Sequence, residues 1–245
     1  MGLRHDGVSG GTEYYEGHGV WAPIMGVGYY RPVSQWSKGE YANANQLEND
    51  IAIIRRKLAT GFLPADAGSS LADAWELPLG LNCSGGGNGT ASTASGVVRG
   101  VLDKPGVGDY FKFVAAPGLV TVNATVLGAD RDKLGRANLD LALKFYAPNG
   151  TVLALVNGET GTDQYADPTD NMGATFSHNV TSPGVYYISV EPTGYGNPAS
   201  DGYSSYGSVG QYKITAVYTP YSGPTFSPPP PAPPSPPSPP PPPPS

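Results

Sequence analysis

The chain has 245 residues, a formal net charge of −6 and only 14% charged side chains, with 34 glycines and 27 prolines. That length leaves room for one large domain or two small ones, and the turn-rich composition suits an all-β secreted chain better than a helical cytosolic one. No Lys/Arg run is present to neutralise phosphates, which argues against a nucleic-acid partner, and no stretch of eighteen apolar residues is present to span a membrane.

The chain opens Met1-Gly2-Leu3-Arg4-His5-Asp6, and Ala22-Pro23-Ile24-Met25-Gly26 follows some twenty residues later. Gly2 and His5 fit the last four positions of H-E-x-x-H-x-x-G-x-x-H, the metzincin zinc motif, whose family carries a downstream Met-turn. The stretch from Tyr14 to Asn45, with Gln35-Trp36-Ser37-Lys38-Gly39-Glu40-Tyr41, resembles reprolysin-like secreted zinc proteases. The resemblance implies that His5 is the third zinc ligand and that Met25 forms the floor beneath the metal. It also implies that the two other histidines and the general-base Glu belong upstream of Met1. The chain as written then lacks two zinc ligands and the base, so it is expected to be inactive. Zinc and a peptide or protein substrate belong, on this reading, to a longer protein. Met1 is expected to be an internal residue of that protein, which would account for the absence of a signal peptide. His18, in Gly17-His18-Gly19, and Tyr29 and Tyr30, just after the Met-turn, are candidates for the substrate cleft. For each, a structural role is the alternative: a loop histidine bonded to backbone, or tyrosines packed into a wall.

Residues 41–58 read as a helix capped by Asn43 or Asn45, with Leu47, Ile51, Ile54 and Leu58 on one face and Gly61 at its end. Residues 1–63 are therefore expected to be a partial α+β C-terminal subdomain of a metzincin, robbed of the helix its apolar face should meet. Residues 64–95, including Ser84-Gly-Gly-Gly-Asn-Gly-Thr, read as a linker. Cys83 is the one cysteine, either a free thiol or half of a bond to missing chain.

Residues 96–219 alternate apolar and polar side chains in short runs. Examples are Val120, Val122, Ala124 and Val126, then Leu139, Leu141, Leu143 and Phe145, then Tyr212, Ile214, Ala216 and Tyr218. A period of two marks strands buried on one face. Pro105-Gly106, Pro117-Gly118, Pro148-Asn149-Gly150 and Pro183-Gly184 supply turns between them. The pattern predicts an antiparallel, jelly-roll-like sandwich. Gly108-Asp109-Tyr110-Phe111-Lys112-Phe113 and Pro183-Gly184-Val185-Tyr186-Tyr187-Ile188 resemble the bacterial pre-peptidase C-terminal (PPC) domain appended to secreted proteases.

Five N-x-[ST] sequons, at Asn82, Asn88, Asn123, Asn149 and Asn179, are candidate glycan acceptors. The acidic loops Asp130-Arg131-Asp132 and Asp163, Asp167, Asp170 could ligate calcium, but neither fits an EF-hand, and solvated loop charge is the plainer reading. His178 alternates with core residues and reads as a sandwich histidine. Residues 220–245, almost wholly Pro and Ser beyond Ser222, read as a disordered polyproline tail like those of cell-wall glycoproteins. Two functions follow from the sequence. One is the C-terminal portion of a secreted zinc metalloendopeptidase. The alternative is a non-catalytic module that binds extracellular-matrix or cell-wall polymers. Both place the chain outside the cell.

Overall fold

The computed structural model describes residues 2–59, 61–80, 93–127, 138–157 and 172–224. Its centre is a sandwich of two five-stranded sheets, built from strands β3 (Trp75–Glu76), β4 (Leu79–Gly80), β5 (Ala94–Leu102), β6 (Asp109–Ala115), β7 (Gly118–Val126), β8 (Leu141–Tyr146), β9 (Val152–Asn157), β10 (Ala174–Val180), β11 (Gly184–Pro192) and β12 (Gly210–Tyr218). One sheet runs β10-β7-β12-β5-β4 and the other β3-β6-β11-β8-β9. All these pairings are antiparallel except that of β3 with β6.

The alternation in sequence fixes the two faces. Val120, Val122 and Ala124 of β7, Phe111 and Phe113 of β6, and Leu141, Leu143 and Phe145 of β8 all point into one shared core. Phe145 stacks on Phe176 with centroids 4.9 Å apart, and Phe113 tilts against Tyr218 at 4.4 Å. Each such side chain, fully buried, contributes about 1.5–3 kcal/mol. His178 takes its expected inward position, its ring 5.6 Å from that of Phe145. The β8–β9 hairpin closes at Pro148-Asn149-Gly150, where Gly150 adopts φ +83°, a conformation that costs a side-chain-bearing residue more.

The expected linker begins later than composition suggested. Residues 75–80 supply two edge strands, and Ala67 and Leu77 belong to the sandwich core. Leu77 fits because Gly96 opposite it has no side chain; a Cβ there would lie 2.8 Å from Leu77 Cδ2. Strands of two residues are too short to show an alternation. Ser84 to Ala91, Cys83 and the tail from 225 onward lie outside the described residues.

The N-terminal 59 residues hold a two-stranded parallel sheet, β1 (Trp21–Pro23) with β2 (Val33–Gln35), and one helix, α1 (Asp50–Leu58). The helix is half the expected length. Asn49, not Asn43 or Asn45, caps it by accepting from the Ala52 N–H at 2.9 Å. Asn43 sits at φ +57°, outside any helix. At the other end Ala59, ahead of Gly61, takes the left-handed cap. Leu47 and Leu58, expected on a buried face, are exposed, while Ile51 and Ile54 are half-buried.

This segment does not stand apart. The connection between β11 and β12, residues 193–209, leaves the sandwich and receives it. Gln35, 1% exposed, donates from Nε2 to the Asn138 carbonyl at 2.6 Å and to Ser208 Oγ at 3.1 Å, while its Oε1 accepts from Trp21 Nε1 at 3.0 Å. Tyr206 adds a second tie: its hydroxyl donates to Asn49 Oδ1 at 2.8 Å and accepts from the Ile51 N–H at 2.9 Å. Gln35→Leu would leave the Trp21 indole N–H and the Asn138 carbonyl unpaired, at about 1–3 kcal/mol for each buried group. We expect it to lower the midpoint of urea denaturation and to speed proteolysis between residues 36 and 50. An unchanged midpoint would show that the amide bridge contributes no net stability.

Candidate functional site

Three backbone segments meet where the sequence placed its motif. The Asp6 N–H donates to the Met25 carbonyl at 3.0 Å, the Tyr15 N–H to the Asp6 carbonyl at 2.7 Å, and the Val27 N–H to the Tyr15 carbonyl at 2.8 Å. The Gly26 N–H closes a tight turn onto the Pro23 carbonyl at 3.1 Å. The His5-Asp6 segment therefore lies directly beside the Met25 turn. Gly17 permits the crossing of the chain behind it: at φ +77°, a Cβ would lie 2.0 Å from the Trp21 carbonyl oxygen.

The His5 side chain is 42% exposed. Its Nδ1 lies 2.9 Å from Glu13 Oε1, and its ring is tilted against that of Tyr14 with centroids 4.3 Å apart. A carboxylate only accepts, so Nδ1 carries a proton, and Nε2 lies 3.5 Å from the Tyr14 hydroxyl. Histidines that bind metals commonly have this carboxylate support. One imidazole does not make a catalytic zinc site, which takes three protein ligands. Among the described residues no three His, Cys, Asp or Glu side chains are grouped to hold a metal ion. The residues present therefore do not fit zinc by themselves, and no hydrolytic step can be assigned to them.

Beneath His5 lies a feature the sequence did not reveal. Asp6 and Asp50 are both fully buried. Asp6 Oδ1 accepts from Gln46 Nε2 at 2.5 Å, and Asp50 Oδ2 accepts from the Ser37 N–H at 3.1 Å. The second oxygen of each has no hydrogen-bond partner among the described residues. Burial, and then the charge of Asp50, push the Asp6 carboxyl up to about 7; burial is also the main cause that lifts Asp50 to about 6. Both values lie above the unfolded ones near 3.8. The folded chain thus holds protons that the unfolded chain releases. Their contribution to stability is full below about pH 4 and is lost as pH rises through 6 and 7. Asp6→Asn should flatten the fall in melting temperature between pH 4 and 8 and raise it at pH 8. A wild-type melting temperature that climbs across that range would contradict this.

His18 turns out to be bonded at both nitrogens. Its Nε2 is 2.7 Å from the Gly202 carbonyl and so bears the proton, while Nδ1 accepts from the Tyr15 hydroxyl at 2.8 Å. It links the N-terminal segment to the β11–β12 connection. Tyr29 and Tyr30 lie on a single 3-10 turn, Gly28–Tyr30, and are 71% and 82% exposed. Arg31 fixes that turn from behind, donating to the carbonyls of Glu16, Gly17 and Gly19. The turn thus presents two adjacent aromatic rings to solvent from a braced backbone. Sequence reasoning found the tyrosines but not the Arg31 brace, because its acceptors are backbone atoms.

Of the glycan candidates, Asn123, Asn149 and Asn179 are exposed. Asn82, Asn88 and the acidic loops of Asp130, Asp132, Asp163, Asp167 and Asp170 lie outside the described residues. No helix among the described residues is long and apolar enough to cross a membrane.

No protein-family model matches the sequence, and no characterised protein matches it in sequence. Among solved structures, the pre-peptidase C-terminal domain of a collagenase from Bacillus anthracis is similar at 14% identity and TM-score 0.30, over 49% of this chain and 86% of that one. PliG of Aeromonas hydrophila, a periplasmic inhibitor of g-type lysozyme, is similar at 12% identity and TM-score 0.31, over 58% and 96%. The C-terminal CBM6 of the laminarinase LamC from Zobellia galactanivorans is similar at 14% identity and TM-score 0.23, over 56% and 83%. At these scores the likenesses carry no assignment; the class of the molecule rests on its own topology, that of a two-sheet β-sandwich with a docked N-terminal segment.

Proposed function

We propose that the chain acts as a non-catalytic extracellular module that binds matrix or cell-wall polymers. The observation that carries this reading is the braced aromatic turn. Tyr29 and Tyr30 are largely exposed, on a backbone that Arg31 holds through three carbonyls. Aromatic rings offer large contact area at small entropic cost, and sugars and extended peptides both pack on such rings. The PPC-like sequence marks and the polyproline tail agree with an extracellular setting. Tyr29→Ala/Tyr30→Ala should weaken sedimentation of the full chain with insoluble cell-wall polymer at least tenfold while leaving its melting temperature unchanged. Equal sedimentation of variant and wild type would sink this reading.

A second reading, the C-terminal portion of a secreted zinc metalloendopeptidase, is favoured by one contact: the Asp6 N–H bond to the Met25 carbonyl, which sets the His5 segment over the Met-turn. In that longer protein His5 would be one of three zinc ligands, and the peptide substrate would pass near Tyr29 and Tyr30. For the chain as written, dialysis against zinc followed by metal analysis should leave far less than one ion per chain. Stoichiometric zinc, removed by His5→Ala, would show that this chain completes a site of its own. The transcript upstream of Met1 separates the two readings, since an open frame encoding H-E-x-x-H favours the protease.

A further inference from the structure

The outer face of the β10-β7-β12-β5-β4 sheet combines two features that explain one another. The first is apolar exposure. Leu119 of β7 is 59% exposed, Val97 of β5 43% and Val217 of β12 38%. The second is the placement of two sequons on the same face. Asn123 lies in mid-strand on β7, exposed and pointing away from the core, with Thr125 completing its sequon. Asn179 lies on the edge strand β10, also exposed, with Thr181 completing its own.

The register brings the two features together. Asn179 is directly opposite Leu119. Asn123 is opposite Thr175 on one side and Thr215 on the other, and Thr215 in turn is opposite Val97. Val217 is opposite Thr121, one diagonal step from Asn123. Along β7 itself Asn123 is flanked on this face by Thr121 and Thr125. Every cross-strand and same-strand neighbour of Asn123 is therefore a threonine, short enough to leave the amide nitrogen open to a bulky substituent. The Thr121 and Ser177 hydroxyls hydrogen-bond each other at 2.9 Å, which keeps that row flat.

We infer that Asn123 and Asn179 carry N-linked glycans that cover the outer face of this sheet. Strand pairing sets the two acceptors one strand and four residues apart, about 14 Å by strand geometry. A saccharide at each shields all three apolar side chains and the outer edge of β10, the kind of exposed sheet surface that otherwise invites self-association. Asn149 lies in the β8–β9 turn of the other sheet, away from Leu119, Val97 and Val217, and serves as the internal control.

The inference uses the extracellular setting of the proposed function only for the route of synthesis. The test is expression of the full chain behind a secretory leader in a eukaryotic cell, with glycopeptide mass spectrometry and light scattering on the secreted protein and on the protein purified from its own cells. We expect sugar at both Asn123 and Asn179. We also expect the N123Q/N179Q double variant to self-associate at concentrations where wild type and N149Q do not. An Asn123 left bare in folded secreted protein, or a double variant that scatters like wild type, overturns the inference while leaving polymer binding by Tyr29 and Tyr30 untouched. Native protein without sugar, beside a glycosylated leader-fused chain, overturns the extracellular setting and this inference with it. Loss of polymer binding alone, with both sites occupied, removes the proposed function and keeps the glycan-covered face.

Discussion

The buried amide of Gln35, with the ties from Tyr206 and His18, joins the N-terminal segment to the sandwich. An amide is suited to the position because it donates and accepts at once. Its oxygen takes the Trp21 indole proton, and its nitrogen serves the Asn138 carbonyl and the Ser208 hydroxyl. A carboxylate there could not donate, and an aliphatic side chain would strand the Trp21 indole N–H and the Asn138 carbonyl in the interior, while Ser208 keeps its bond to the Thr193 carbonyl. The N-terminal segment has little core of its own, chiefly Trp21, Val33 and Tyr41, and that cluster is completed by Met172 and Tyr203 from the sandwich side. Its order therefore depends on the β11–β12 connection, and so does everything it presents, from His5 to the tyrosine turn.

The buried acids beneath His5 show which electrostatic effect wins. Asp50 is the first residue of α1, where the helix dipole favours negative charge by about 0.3–1 kcal/mol, and the Ser37 N–H bond favours it further. Removal of a carboxylate from water costs several kcal/mol. Burial exceeds the dipole, and the carboxyl rises to about 6 rather than falling. The neighbouring Asp6 is raised first by its own burial and then by the charge of Asp50, to about 7. These two carboxyls therefore favour the folded N-terminal segment in acid.

The sandwich was legible because alternation over six to nine residues is a direct imprint of burial on one face, and β7, β8 and β12 appear where that pattern predicts them. The edge strands at 75–80 were not, since two residues carry no period. The helix was overextended because Leu47 fits a helical spacing with Ile51 and Ile54, yet Gln46 turns its side chain back to Asp6 and the backbone stays irregular until Asn49. Of the site, the tyrosine pair and the Met25 turn could be read from local sequence. The acid pair could not, because residues 6 and 50 meet only through the tertiary fold. The Gln35 bridge spans from residue 21 to residue 208 and left no local trace.

The distribution of cover over the sandwich decides where a partner can bind. On the β3-β6-β11-β8-β9 sheet, Leu71 and Ala74 pack over Tyr146 and Tyr187 on the outward face. The charged groups beside them are already spent on one another: Lys144 binds Glu191 at 2.5 Å, and the hydroxyls of Tyr110 and Ser189 donate to the same carboxylate. Among the described residues, the Tyr146 and Tyr187 rings at the centre of that face are buried. The opposite sheet presents threonines, the exposed Leu119, Val97 and Val217, and the sequon asparagines Asn123 and Asn179. Neither face supplies a rigid aromatic platform. The turn at Tyr29 and Tyr30 presents two exposed rings set edge to face, 6.5 Å between centroids, and it belongs to the segment that packs against the β11–β12 connection. If the proposed function holds, binding is a property of the docked N-terminus, and the sandwich is the scaffold against which that segment packs.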